Sequence, residues 1–379
     1  MKFGGGKLFV AVATASGLLV TACASGEPGA EPTVDAAEET EDAAEEEVDA
    51  AEASPETGGE VVITHWGGAS AEAMREYFFN SFEEETGIQV IEDTLPLPAQ
   101  VKAQVDTNSV EWDIVAAGLD YIEQLNAEGE YYDPIPYDEL TPAYVEGLVD
   151  ESVLEHGVGA YFFSWVIANR TDAFDGDGPQ TWAEFWDVEA FPGARSFTGT
   201  PIAGTEAALL ADGVPRDELY PLDFDRAFAK MDELKPHVRS FWESGTEAPQ
   251  MLANEEITSA IVYHSRIPAL QAEGVPIDFD YVDGILAQDL WSLVHGSPNR
   301  ENAILLLDWM LDPERQADFA RAVYNGPTNA DAFDYLSEEE ARNLPSHPDN
   351  IKTQAVYDAA WWAPHQADIR ERYSEWLLE

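Results

Sequence analysis

The chain has 379 residues, with 19 basic against 74 acidic side chains and a formal net charge of −55. That balance excludes nucleic acid as a partner, because neutralising phosphates requires clustered Lys and Arg, and it excludes an electrostatic grip on anionic lipid. Cys23 is the single cysteine, so no disulfide supports the fold and hydrophobic burial must carry it.

Residues 1–22 read as a secretory signal peptide. Lys2 and Lys7 form a basic start, and the apolar stretch from Leu8 to Val20 is 13 residues long, whereas a helix crossing a bilayer needs about 20. The cut at Leu19-Val20-Thr21-Ala22-Cys23 resembles the bacterial lipobox, in which cleavage precedes a cysteine that carries lipid. Cys23 is then the lipidation site, and the protein is extracytoplasmic, held to the outer face of the cell membrane by that lipid alone. The alternative is an ordinary signal peptide followed by a free thiol.

Residues 24–58 hold 13 acids, no basic residue and no aromatic. Such a stretch buries too little apolar surface to offset its ordering entropy, so residues 23–58 are expected to be a lipidated cysteine and a disordered linker. Residues 59–379 keep 61 acids and 17 bases. Their surface is therefore acidic too, a composition similar to that of halophilic proteins, where salt shortens the repulsion between like charges. A soluble acidic protein from an ordinary habitat is the alternative.

Aromatic residues become plentiful from Gly59 onward. Val61–Trp66 reads as a strand ended by Gly67-Gly68, followed by a helix with Ser70 as its N-cap and Gly87 as its stop. Ile88–Ile91 is a second strand, Ala99–Val105 a helix, and Asp113–Ala117 a third strand. This alternation predicts a parallel sheet with helices on both faces. In such sheets ligands sit beyond the carboxyl ends of the strands, which places the turns after Trp66 and Ala117 on one rim. Gly157–Asn169 has the pattern of a buried strand. Helices are expected at residues 225–234, 246–254, 299–311 and from Pro313 to about Ala322.

Several short motifs occur in a fixed order: Thr64-His65-Trp66-Gly67-Gly68, Phe82 to Val90, Trp112-Asp113-Ile114-Val115, Thr181-Trp182 with Phe185-Trp186-Asp187, Phe191-Pro192-Gly193, Tyr263-His264-Ser265-Arg266 and Gly326-Pro327-Thr328-Asn329. In that order they resemble the solute-binding proteins of ABC importers, in the branch that includes spermidine/putrescine-type binders. The resemblance implies an α/β, two-lobe periplasmic-binding-protein-like fold of type II, each lobe a mixed sheet flanked by helices, with the ligand cleft between the lobes. The implied boundaries are residues 59–165 plus 288–328 for the first lobe and 166–287 plus 329–379 for the second. It further implies a monomer without cofactor that delivers a small solute, a polyamine or a related amine or amino-acid-like compound, to an ABC permease and ATPase.

The candidate ligand-binding residues follow from the rim and from the resemblance. Trp66, Gly67 and Gly68 end the first strand; Asp120 and Tyr121 follow the third. Tyr263 closes a strand-like run at a family position that faces ligand. Arg266 either grips a carboxylate bidentately or braces a lobe. Asp289, read as the start of the strand Leu290–Val294, matches an acid that contacts the amine in polyamine binders. Thr200 and Tyr324 complete the set, and Trp361-Trp362 are core-like. The stretch Thr198–Ala203 lacks the further acids of polyamine binders, with none before Glu206, and Leu286-Ala287-Gln288 replaces the aromatic expected before Asp289.

An enzyme is disfavoured, since there is neither a Gly-x-Ser-x-Gly elbow nor a His-Glu-x-x-His pair, and the seven histidines show no metal-ligand spacing. A ferric-ion or other small-anion binder of the same fold is one alternative, although the tyrosines it would use, Tyr131-Tyr132, sit in Glu130-Tyr131-Tyr132-Asp133-Pro134, which reads as an ordinary loop before a domain crossing. A binding protein that feeds a sensor is another.

Overall fold

Val61 and Ile63 lie fully buried on one face of the first strand, and the alternation they set decides which way that strand turns its side chains. The computed structural model describes residues 58–379, so the signal peptide, Cys23 and the acidic linker through residue 57 lie outside the described residues. In chain order the strands are β1 (Glu60–His65), β2 (Gln89–Thr94), β3 (Ile114–Ala117), the short β4 (Tyr132–Asp133) and β5 (Val153–Leu154), β6 (Gly157–Arg170), β7 (Arg195–Thr198), β8 (Val238–Trp242), β9 (Ser259–Tyr263), β10 (Ile277–Phe279), β11 (Ile285–Val294) and β12 (Ala355–Val356).

The main path runs β2-β1-β3-β11-β6-β9-β7-β8. β1 pairs parallel with β2 and β3, β7 pairs parallel with β8 and β9, and β11 is antiparallel to β3 and β6. Each end of the path is thus a mixed sheet. β6 and β11 join them: Tyr161 of β6 pairs with Asp289, while Trp165, further along the same strand, pairs with both Ile285 and Tyr263.

Two apolar layers cover the β1–β3 end. One gathers Phe78, Phe79, Phe82, Trp291, Leu307 and Phe319; the other gathers Val101, Trp112, Val115, Ile122 and Leu290. The second end has its own core around Trp182, Phe185, Phe197, Trp242 and Ile261, closed by Trp362, Tyr373 and Trp376 of the C-terminal helix Ala359–Leu378. Two cores linked by two shared strands make the two-lobe α/β fold.

Two local readings change. The first helix is Ala69–Met74, capped at Gly68, so Ser70 lies inside it; it continues through a π-helical turn into Asn80–Thr86, which Gly87 ends at φ 70°. Gly67 and Gly68 both take positive φ, which is why the chain turns into the helix before Ser70 is reached. Asp289 stands inside β11 and does not begin it. Pairing with β6 extends that strand back to Ile285, and the register slips between Asp289 and Leu290, leaving Ala160 as the extra residue opposite them.

The motifs shared with the resembling family hold the scaffold. Asp113 is fully buried and accepts from the Val62 amide at 2.7 Å, Ser297 Oγ at 2.7 Å and Asn299 Nδ2 at 3.0 Å. Thr181 and Glu184 form a capping box, and Trp182 donates to the Asp283 carbonyl at 2.7 Å.

Candidate functional site

A cavity of about 540 Å³ opens where the carboxyl ends of β1 and β3 meet the two shared strands. Trp66, Gly67, Asp120, Tyr121, Thr200, Tyr263, Arg266 and Asp289 all line it. Gly68 and Tyr324 do not. A Cβ on Gly68 would stand 3.2 Å from Arg266 Nη1, so this glycine makes room for the guanidinium. Tyr324 takes φ 62° to cap the helix Pro313–Val323, which brings its neighbour Asn325 to the wall instead. Trp362 is buried in the second lobe's core and donates to Glu206, and Tyr132 is buried in the first lobe. Among the described residues no group of three or more His, Cys, Asp or Glu is arranged to hold a metal ion.

The aromatic wall is deeper than sequence reading foresaw. Tyr161, Phe163 and Trp165 alternate along β6, and all three face the cavity. Phe163 packs edge-on against Trp165 at 5.0 Å between ring centres, and Trp165 lies 5.5 Å from Tyr263 and 5.9 Å from Tyr357. Trp66 and Tyr121 meet at 6.4 Å across the first lobe's rim. Gly245 must be glycine because a Cβ there would stand 2.9 Å from the Tyr263 ring. The period-two aromatics of β6 were visible in the sequence; Tyr357 and Arg370, far down the chain from the first lobe's strands, carried no local signal.

Five charged side chains line the cavity: Asp120, Asp289, Arg266, Arg370 and the exposed Glu243. Asp289 is 8% exposed and accepts from Tyr161 Oη at 2.8 Å. Burial pushes its carboxyl up to about 6, with the Tyr161 hydrogen bond opposing that shift and the Asp120 charge adding to it. Asp120 is likewise pushed up to about 6 by burial, opposed by the charge of Arg370 and a hydrogen bond from Gln366.

The cations are more telling. Among the described residues four Lys or Arg side chains have no carboxylate oxygen within 4.0 Å. Arg195 and Lys235 donate to backbone carbonyls. The other two, Arg266 and Arg370, both line the cavity. Arg370 Nε donates to Gln366 Oε1 at 2.8 Å. Arg266 Nε is buried with no hydrogen-bond partner. Asn325 Oδ1 and the Tyr357 hydroxyl, also on the wall, are buried and unpartnered as well. Unsatisfied buried polar atoms are costly, and three of the six such side-chain atoms among the described residues lie around this one cavity.

Comparison with known proteins agrees with this fold. A family model described as bacterial extracellular solute-binding protein matches residues 78–348. The gamma-aminobutyric acid-binding protein of Pseudomonas aeruginosa is 32% identical over 325 residues, 83% of this chain and 90% of that protein. The spermidine/putrescine-binding periplasmic protein of Escherichia coli is 22% identical over 288 residues, 74% of this chain and 81% of that one. Among solved structures, an ABC transporter substrate-binding protein from Bradyrhizobium japonicum has a TM-score of 0.81 at 32% identity, covering 84% of this chain and 100% of that one. The Atu4243-GABA receptor has a TM-score of 0.77 at 31% identity, covering 84% and 97%.

Proposed function

This chain belongs to the bacterial extracellular solute-binding proteins, and we propose that its cleft captures a small zwitterion for an ABC importer. The ligand carries a carboxylate at one end and an ammonium at the other, as 4-aminobutyrate does. The carrying observation is Arg266: in a chain of net charge −55 it is a guanidinium without any ion pair or hydrogen bond among the described residues, on a cavity wall. A ligand carboxylate satisfies it bidentately. Asp289 takes the ammonium, with the faces of Trp66 and Tyr263 supplying cation–π attraction of about 0.5–2 kcal/mol.

Charge balance favours this ligand over a polyamine. Two arginines stand on the cavity wall against Asp120, Asp289 and the exposed Glu243, so the site offers a partner to each end of a zwitterion while a polycation leaves Arg266 opposing it. The relative named for gamma-aminobutyric acid is also the more similar, at 32% against 22% identity for the polyamine binder. Delivery to a permease and ATPase, an extracytoplasmic place, a monomeric state and attachment through lipid on Cys23 belong to the same reading. Cys23→Ala should then leave an uncleaved precursor or a released protein, and a processed mutant that stays on the membrane would refute the anchor.

Calorimetric titration of ligand-stripped protein with 4-aminobutyrate, putrescine, spermidine and simple anions tests the ligand. Truncating one partner of a buried charged contact costs about 2–5 kcal/mol, so Arg266→Ala and Asp289→Asn should each weaken 4-aminobutyrate binding more than tenfold. Tight putrescine binding that Arg266→Ala leaves unchanged would overturn the zwitterion reading.

A further inference from the structure

The C-terminal helix Ala359–Leu378 is seated in the second lobe yet bonded to the first. Trp362, Ile369, Tyr373 and Trp376 lie in the second lobe's core, Tyr373 Oη donates to the Thr198 carbonyl at 2.7 Å, and Trp376 Nε1 donates to Asp232 Oδ1 at 2.7 Å. On its other face Gln366 Nε2 donates to Asp120 Oδ2 at 2.8 Å, and Arg370 Nε holds Gln366 Oε1 at 2.8 Å. Arg370 and Tyr121 both line the cavity, and the Arg370 charge acts on the Tyr121 phenol. Asp120 and Tyr121 open the helix Leu119–Asn126, whose Ile122 and Leu125 belong to the first lobe's core. Gln366 is 3% and Asp120 5% exposed, so water does not compete for their bond.

We propose that Gln366 and Arg370 are positioning residues that carry the second lobe's grip onto Asp120 and Tyr121, holding the first lobe's rim at the cavity and biasing the lobes toward closure. An amide is suited to this task. It accepts from the guanidinium and donates to the carboxylate at once, which neither a carboxylate nor an apolar side chain can do at every pH. Removing it leaves a buried carboxylate short of a donor, and the least costly remedy is for the lobes to part and hydrate it. Ligand then binds a protein whose competent arrangement is less populated, and its apparent affinity falls by that fraction. This inference rests on the cleft being the capture site but not on which solute fills it.

Small-angle scattering of the full, ligand-free protein at pH 5 and pH 8 tests it, together with 4-aminobutyrate titration. Gln366→Leu should expand the particle at both pH values and weaken binding about tenfold or more. Gln366→Glu discriminates positioning from simple packing. At pH 5 a proton shared between the introduced carboxyl group and Asp120 restores the bridge and the particle stays compact; at pH 8 two carboxylates repel, and it opens. The other groups facing Asp120 are Arg370 on the same helix as Gln366, Tyr121 on its own helix, Asp289 on β11, Tyr132 on β4 and Tyr357, all present in the wild type, which serves as the reference at each pH. Should Gln366→Leu fail to fold, the pH contrast in Gln366→Glu still decides. Both variants matching wild type in compactness and affinity at both pH values would overturn the proposal. A wild type that binds no 4-aminobutyrate would sink the zwitterion reading while leaving the scattering result to judge this one.

Discussion

Tyr161 Oη lies 2.8 Å from Asp289 Oδ2, at the point where the two shared strands slip register. One strand therefore supplies the acid and the other the hydroxyl that keeps it ionisable. Burial drives Asp289 upward, the Asp120 charge adds to it, and the phenol restrains that rise to about 6. An ammonium needs the carboxylate form, so affinity should be full above about pH 6 and fall about tenfold per pH unit below it. Tyr161→Phe should move this midpoint upward and weaken binding several-fold at pH 7, with recovery at pH 9. Titrations across pH 5–9 read this directly, and an unmoved midpoint would show that the pair is not coupled.

Asp289 also sets a cost on the empty protein. Its folded pKa, about 6, is raised above the ordinary 3.8, so the fold favours the protonated acid. Stability from this group is intact below about pH 3.8, is lost as pH rises through 6, and stays lost at neutral pH. Asp289→Asn keeps an acceptor for Tyr161 and removes the charge. It should raise the ligand-free stability at pH 7–8 by about 2–3 kcal/mol while weakening 4-aminobutyrate binding. Thermal melts with and without ligand measure both effects, and a destabilised empty variant would contradict this account.

His264 has the opposite sign. It is fully buried beside the site, accepting from the Ser164 amide at 3.1 Å through Nδ1 and donating to the Tyr324 carbonyl at 2.8 Å through Nε2. Burial lowers its pKa to about 4. The neutral ring is favoured, so its contribution is complete above about pH 6.5 and lost as pH falls toward 4. His264→Ala should cost about 2–4 kcal/mol at pH 7 by leaving both backbone groups unpaired. The difference from wild type should shrink toward pH 4, as read by urea unfolding at a series of pH values.

The acidic surface predicts a salt response. A net of −55 repels itself, and ions shorten that repulsion. The melting temperature should climb steadily from dilute buffer to molar sodium chloride. A flat profile would show that the surface charges are already accommodated.

Much of the fold was legible in local sequence because each element advertises itself within a few residues. The period-two run of β6, Gly87 after its helix and Pro313 opening another all act over one turn or one strand. The rim residues Trp66, Asp120 and Tyr121 were placed by a rule about strand ends, which needs only strand positions. Asp289 was found, yet its position inside β11 was not, because its pairing partner lies 128 residues away.

What no window of sequence contains is convergence. Arg370 and Tyr357 reach the cavity from the chain's end, and the Gln366–Asp120 bond spans 246 residues. Sequence leaves Arg266 open between gripping a ligand carboxylate and bracing a lobe, because abundant acid is available to it. Only the packed structure shows that no carboxylate among the described residues lies within 4.0 Å of it, and that lack of a partner, set by where the backbone closes in three dimensions, is what the proposed carboxylate contact rests on. Composition alone determined that the protein is acidic and its lone cysteine unpaired, since charge and sulfur count add up regardless of shape. Which of those charges oppose one another, and which wait for a ligand, depends on distances that the tertiary structure alone decides.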